Sequence, residues 1–200
     1  MNAAARYALF GGSFDPVHYG HLLLAELLLE AEGLERVVFL PAWRSPHKRR
    51  SAAAVTHRLA MLRLAVRGNA SFRVSDFEAR RPGASYSIDT VRAFARRWQA
   101  RPVVLLGGDA LLDLPTWREA PALRREARLV AFARPGFDAA RREARRLGVR
   151  YHELTQSEVS SSNIRARTRR GRSIRYHVPE TVRRYIERHR LYGARPGEGA

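Results

Sequence analysis

The sequence predicts an α/β fold, a doubly wound parallel sheet in a single domain, on three observations. Short, unbroken apolar runs recur along the chain at 7–10, 37–40, 103–106 and 129–132, joined by strand-like segments at 72–77 and 151–154. Segments with helical spacing of apolar residues lie between them. Four of the runs stop at turn-forming residues: Gly11-Gly12, Pro41, Gly107-Gly108 and Arg134-Pro135-Gly136. Unbroken apolar strands are those buried on both faces, which requires a helix layer on each side of the sheet. Right-handed crossovers between parallel strands supply those layers. Ligands in such a sheet sit beyond the carboxyl ends of the strands.

Each element has its own reason. The run 7–10 reads as a first strand ended by two glycines, and the Leu-, Ala- and Glu-rich stretch 21–31 follows as a helix. Strand 37–40 is stopped by Pro41. In 55–66 the residues Leu59, Leu62 and Val66 recur at helical spacing. The segment 72–77 alternates as a strand. In 88–98, Ile88, Val91 and Ala95 share a face, with Ser87 as the expected N-cap. Runs 103–106 and 129–132 are strands, 141–147 is helical, and 151–154 is a last strand. C-terminal helices follow at 161–170 and 179–190, the second with Pro179 in its first turn. The expected whole is Rossmann-like, one domain over 1–193 with a frayed tail at 194–200.

Composition narrows the function. A hydrophobic fraction of 45% excludes a wholly disordered basic chain. The absence of cysteine excludes disulfides, cysteine nucleophiles and thiolate zinc sites. The most apolar stretch, 22–29, is interrupted by Glu26 and is too short to span a bilayer. The start lacks the basic-then-apolar order of a secretory signal, so a soluble, cytoplasmic protein is expected. The formal charge is +18, and all but one of the 37 basic residues are arginines, Lys48 being the exception. Such a surface suits nucleic acid by counterion release. It also follows from a chain-wide replacement of lysine by arginine, and it would then still attract small anions. No recognised nucleic-acid module or set of interleaved aromatics supports the first reading as the main role.

The strongest motif is Gly11-Gly12-Ser13-Phe14-Asp15-Pro16-Val17-His18-Tyr19-Gly20-His21. Two glycines after a strand let backbone approach a ligand. His18 and His21 lie three apart at a helix start and point to one side, with Gly20 removing a side chain between them. A helix N-terminus adds free N–H groups and a positive dipole end, which suits phosphate. A zinc pair is the rival, and the spacing lacks the glutamate and histidine offset of a metalloprotease helix.

At this point the chain resembles the HxGH nucleotidylyltransferase superfamily, and within it the nicotinate-nucleotide adenylyltransferase family. Further segments match in order: Pro41-Ala42-Trp43-Arg44-Ser45-Pro46-His47-Lys48, Ser85-Tyr86-Ser87, Gly107-Gly108-Asp109-Ala110-Leu111 with Leu114-Pro115-Thr116-Trp117, Arg134-Pro135-Gly136, and Val159-Ser160-Ser161-Ser162-Asn163-Ile164-Arg165. Ser13 and Ser162 stand where that family often has Thr, and both keep a hydroxyl.

The resemblance implies transfer of AMP from ATP to nicotinate mononucleotide, with release of pyrophosphate. It implies His18, His21, Lys48 and Arg165 as the catalytic cations and donors. It places Gly11, Gly12, Ser13, Phe14, Gly20, Gly107, Asp109, Arg134, Ser161 and Ser162 on the ATP side. Lys48, Ser85, Tyr86, Ser87, Asp109, Trp117 and Arg118 fall on the mononucleotide side, and Mg²⁺ arrives on the ATP phosphates. Several alternatives stay open from the residues alone. Asp109 serves either ribose hydroxyls or a helix N-cap. Trp117 stacks on a ring or fills core. Arg165 binds triphosphate, with Ser161 and Ser162 capping its helix, or is one of ten solvated arginines in 165–190. Self-association is left open.

Overall fold

The computed structural model describes residues 6–44, 51–133, 136–154 and 159–194. Its strands are β1 (Tyr7–Gly12), β2 (Arg36–Pro41), β3 (Phe72–Val74), β4 (Val103–Gly107), β5 (Arg128–Ala133) and β6 (Arg150–Glu153). They form one sheet in the order β3-β2-β1-β4-β5-β6, and every pairing is parallel. The helices are α1 (Tyr19–Ala31), α2 (Val55–Ala65), α3 (Ser87–Trp98), α4 (Gly108–Asp113), α5 (Ala120–Glu126), α6 (Asp138–Leu147), α7 (Ser161–Arg169) and α8 (Glu180–Arg188).

Alternation within the apolar runs divides the core in two. Ala8, Phe10, Val37, Phe39, Val103, Leu105, Val130 and Phe132 pack on one face against Leu28 of α1, Met61 and Leu62 of α2, Ile164 of α7 and Ile186 of α8. Their neighbours Leu9, Val38, Leu40, Val104, Leu106, Leu129 and Ala131 pack on the other face against α3, Leu111 of α4, Leu123 of α5 and Leu147 of α6. Each fully buried side chain of this size contributes about 1.5–3 kcal/mol, so both layers are needed to hold the central strands. The chain runs outward from β1 through β2 to β3, then returns to β4 and runs the other way. The strand order therefore reverses between β1 and β4, the place where such sheets open a crevice.

Several expectations are corrected. The strand expected over 72–77 ends at Val74, because the chain turns after Ser75 donates to Phe39 and carries Phe77 onto Phe94 of α3, with ring centroids 5.7 Å apart. Tyr86, not Ser87, is the N-cap of α3; Ser87 is its first helical residue. Pro179 caps α8 from outside the first turn. The buried stripe of α2 is Arg58, Met61 and Leu62 rather than Leu59, Leu62 and Val66. Helices α4 and α5 were not expected; at six and seven residues they are too short to show a period. Among the arginines after 165, Arg183 is not solvated. It is 7% exposed and pairs with Glu180 and Glu187. Of the expected tail, only Ala194 is described, and it packs against the core.

Candidate active site

The glycines at the end of β1 release the chain into a tight loop that enters α1. Phe14 takes a left-handed φ of 46° there, with its ring 2% exposed. That ring fills the space above Gly12, where an added Cβ would come within 3.0 Å of it. It also packs edge-on to His21, 5.0 Å between centroids. Phe14 thus shapes the loop from beneath.

His18 is the N-cap of α1 and His21 lies one turn on. Their rings stack, 3.7 Å apart and 30° from parallel. Burial drives the His18 imidazole down to a pKa of about 4, so it is neutral at physiological pH. A stack of two imidazoles this close favours that state, since two like charges would repel. His21 Nδ1 accepts the backbone N–H of His18 at 3.3 Å, which places the proton of a neutral His21 ring on Nε2. Gly20 leaves room for this pair: an added Cβ would crowd the His18 ring at 3.0 Å. The glycine therefore keeps the histidine in place, in addition to clearing an approach.

A buried polar network that sequence reasoning missed holds the loop. Asp15 is 4% exposed; its carboxylate accepts the N–H groups of Ala52 at 2.6 Å and Ala53 at 3.1 Å, and the hydroxyl of Tyr192 at 2.6 Å. Arg58, 1% exposed, donates to the carbonyls of Ser13 at 2.8 Å, Trp43 at 3.1 Å and Ala53 at 3.2 Å. Burial lowers the Arg58 pKa and Asp15 opposes that shift. One guanidinium thus fastens the glycine loop to the segment after β2. Nothing in an arginine-rich sequence marks Arg58 apart, except that Met61 and Leu62 on the next turn share its face.

Arg165 reaches the same loop from α7. Its Nη1 donates to the carbonyl of Asp15 at 2.7 Å and its Nη2 to Ser162 Oγ at 3.1 Å. Among the described residues no carboxylate pairs with it. Ser161 Oγ donates to the carbonyl of Pro16 at 2.9 Å. The helix cap is Ser160, whose Oγ accepts the N–H of Asn163 at 3.1 Å. Ser161 and Ser162 therefore tie α7 and Arg165 to the loop instead of capping the helix.

A cavity of about 530 Å³ opens at the reversal point, beyond the carboxyl ends of β1 and β4. Gly11, Gly12, Ser13, Gly107 and Asp109 line one side, and Ser85, Tyr86, Ser87, Trp117 and Arg118 line the other. His18, His21, Phe14, Gly20, Arg165, Ser161 and Ser162 do not line it; they gather across the glycine loop. Asp109 is the second residue of α4, whose N-cap is Gly107, so the capping reading is excluded and its exposed carboxylate faces the cavity. Trp117 is half-buried on the wall, neither wholly core nor free of it. The Arg118 guanidinium lies over the Tyr86 ring, 4.9 Å from its centroid. Glu78 and Thr90, missed in the sequence, also line this wall.

Lys48 and Arg134, both expected at the site, lie outside the described residues. Among the described residues no cluster of three or more His, Cys, Asp or Glu could hold a metal ion. The donors near the loop are N–H groups and a guanidinium, a set that suits anions. Magnesium commonly arrives on substrate phosphates with few protein ligands, and this set fits that mode. Among the described residues no helix is long and apolar enough to cross a membrane.

Comparison with known proteins gives a consistent result. Residues 9–167 match the Cytidylyltransferase-like family model. A Symbiobacterium thermophilum protein named "Probable nicotinate-nucleotide adenylyltransferase" is 44% identical, with 98% of this chain and 100% of that protein covered. A Thermus thermophilus protein of the same name is 45% identical over 94% of this chain and 99% of its own. Among solved structures, the Plasmodium falciparum nicotinic acid mononucleotide adenylyltransferase complexed with NaAD shares the fold, with a TM-score of 0.76 at 17% identity, covering 94% of this chain and 98% of that one.

Proposed function

The chain belongs to the Cytidylyltransferase-like family and, within it, to the nicotinate-nucleotide adenylyltransferases, and from that premise we propose how its residues move AMP from ATP to nicotinate mononucleotide. The products are nicotinate adenine dinucleotide and pyrophosphate, a step of NAD biosynthesis. The attacking group is the 5′-phosphate of the mononucleotide, already ionised near neutral pH, so no general base is required. What the reaction needs is alignment of two anions and stabilisation of charge on the α-phosphate and the leaving pyrophosphate.

The observation that carries this reading is the convergence on one loop of the stacked pair His18–His21 and Arg165, which pairs with no described carboxylate, beside the cavity at the reversal of the sheet. The backbone of Gly11, Gly12 and Ser13 and the start of α1 cradle phosphate, His21 donates from Nε2 to the transferring group, and neutral His18 buttresses it. Arg165 takes the triphosphate. Lys48 adds a cation from the segment after β2, and Arg134 lies toward the adenine. Asp109 accepts ribose hydroxyls. Ser85, Tyr86, Ser87, Trp117 and Arg118 receive the mononucleotide, with the Arg118 charge and backbone N–H groups near Ser87 meeting the ring carboxylate. Mg²⁺ bound to the ATP phosphates would supply further charge neutralisation. The test is pyrophosphate release from ATP and Mg²⁺ on addition of nicotinate mononucleotide. Release is expected; preference for the amide mononucleotide would move the protein to the sister activity, and none with either would overturn the reading.

A further inference from the structure

The wall of the cavity holds a carboxyl group that the proposed chemistry does not use. Glu78 sits in the turn between β3 and α3, 9% exposed, and lines the cavity with Ser85, Tyr86 and Ser87. Thr90 of α3 donates its hydroxyl to Glu78 Oε1 at 2.8 Å. The Ser85 hydroxyl lies against the Glu78 carboxyl and favours its ionised form. Ser85 Oγ in turn accepts the backbone N–H of Trp43 at 3.1 Å, and its own N–H donates to the carbonyl of Arg44 at 3.1 Å. Glu78 is therefore the inner brace of a strip that joins the segment after β2 to the start of α3.

Its surroundings are unusual for a carboxylate. Among the described residues no cation forms an ion pair with Glu78. Arg81 in its own turn acts only at longer range. The hydroxyls of Ser85 and Thr90 face it, and the cavity presents Asp109 and Asp113 from α4 and Arg118 beyond them. Burial raises its pKa, against the smaller effects of the hydroxyls and Arg81. A neutral carboxyl in this wall leaves a carboxylate-bearing ring unopposed, whereas an ionised one sets like charge against it inside a low-dielectric cavity.

We propose that Glu78 is a specificity-determining residue: its carboxyl, braced by Ser85 and Thr90, sets how strongly the cavity prefers a mononucleotide with a carboxylate ring over one with an amide ring. This rests on the reading of the Ser85–Ser87 wall as the mononucleotide side. As pH rises and Glu78 ionises, preference for the acid falls: both rings carry the same pyridinium charge, whose attraction to Glu78 cancels in the ratio, and only the acid adds a carboxylate that the ionised Glu78 repels. The phosphate common to both substrates titrates identically and cancels in the ratio.

The experiment is steady-state kinetics of the wild type and Glu78→Gln with nicotinate and nicotinamide mononucleotides, over the full pH range in which both proteins stay folded. In the wild type the acid-to-amide ratio of kcat/KM should fall on the order of tenfold with rising pH. In Glu78→Gln, whose amide still accepts from Thr90, the ratio should be flat at the wild type's low-pH value, with KM for ATP unchanged. A pH-independent ratio in an active wild type overturns this inference alone, even if the variant fails to fold. An equal slope in the folded variant also overturns it. A wild type that turns over neither mononucleotide overturns the adenylyl-transfer reading and this inference with it.

Discussion

The hydroxyl of Tyr192 donates to Asp15 Oδ1 across 2.6 Å and 177 residues of sequence, so the turn after the last helix closes onto the loop that follows the first strand. Burial and the neighbouring Asp15 carboxylate hold the Tyr192 phenol protonated far above its ordinary range, which keeps it a donor. Tyr192→Phe removes that donor and leaves Asp15 with its two backbone partners. A loss of about 1–3 kcal/mol in unfolding free energy is expected by urea titration, with a raised KM for ATP. An unchanged midpoint would show that the contact does not hold the loop.

Arg58 should be the least replaceable residue near the site. Its three nitrogens meet three carbonyls, and two of those bonds fix Ser13 and Trp43. Arg58→Leu leaves buried carbonyls unpaired and Asp15 without its facing cation, so at least about 3 kcal/mol of stability should be lost. Arg58→Lys should rescue little, because one ammonium cannot reproduce the fork. Equal stability of wild type and Lys variant in urea would contradict this.

His21 and Gly20 separate chemistry from packing. His21→Ala should lower kcat by roughly 10²-fold, the scale for losing a preorganised donor, with little change in melting temperature. Gly20→Ala should also lower kcat, through displacement of the His18 ring that its Cβ would strike. Unaltered turnover in His21→Ala would remove the stacked pair from the mechanism, and in Gly20→Ala would show that the His18 ring accommodates the added methyl.

The low pKa of His18 has a signed consequence for stability. In the unfolded chain His18 titrates near 6.5, and in the folded protein near 4. Between those values the unfolded state binds more protons, so stability falls as pH drops from about 6.5 to about 4 and levels below. The span corresponds to at most about 3 kcal/mol. Subtracting the pH–stability curve of His18→Gln from that of the wild type should isolate this slope; parallel curves would contradict it.

The fold was legible because its signals are local. Unbroken runs such as 103–106 and the glycine pairs that end them need no knowledge of partners, and the division of each run between two helix layers follows from its length. Helices α4 and α5 were not legible because each has fewer than two turns in which to repeat a pattern. At the site, His18, Gly20 and His21 are adjacent in sequence and could be read together. Asp15 and Arg58 could not, since their partners lie 37 to 177 residues away from Asp15 and 45 from Arg58 at Ser13. Ser162 suits a cap by residue type but partners Arg165, because capping preference is a statement about position and Ser160 holds that position.

The arginine excess also takes a narrower meaning. Arg58 and Arg183 are buried and bonded, Arg92 spans Glu119 and Glu126, and Arg128 meets buried Glu32. Such residues hold the fold, Arg58 among them by bonding the glycine loop itself, and Arg165 reaches that loop from α7 with no carboxylate partner among the described residues.

The most direct measurement of adenylyl transfer follows the label from ATP carrying a marked α-phosphorus, with Mg²⁺ and nicotinate mononucleotide present. The label should appear in nicotinate adenine dinucleotide while the pyrophosphate released alongside it carries none. Label that stays in ATP, or leaves as free AMP with no dinucleotide formed, would contradict transfer to the mononucleotide phosphate.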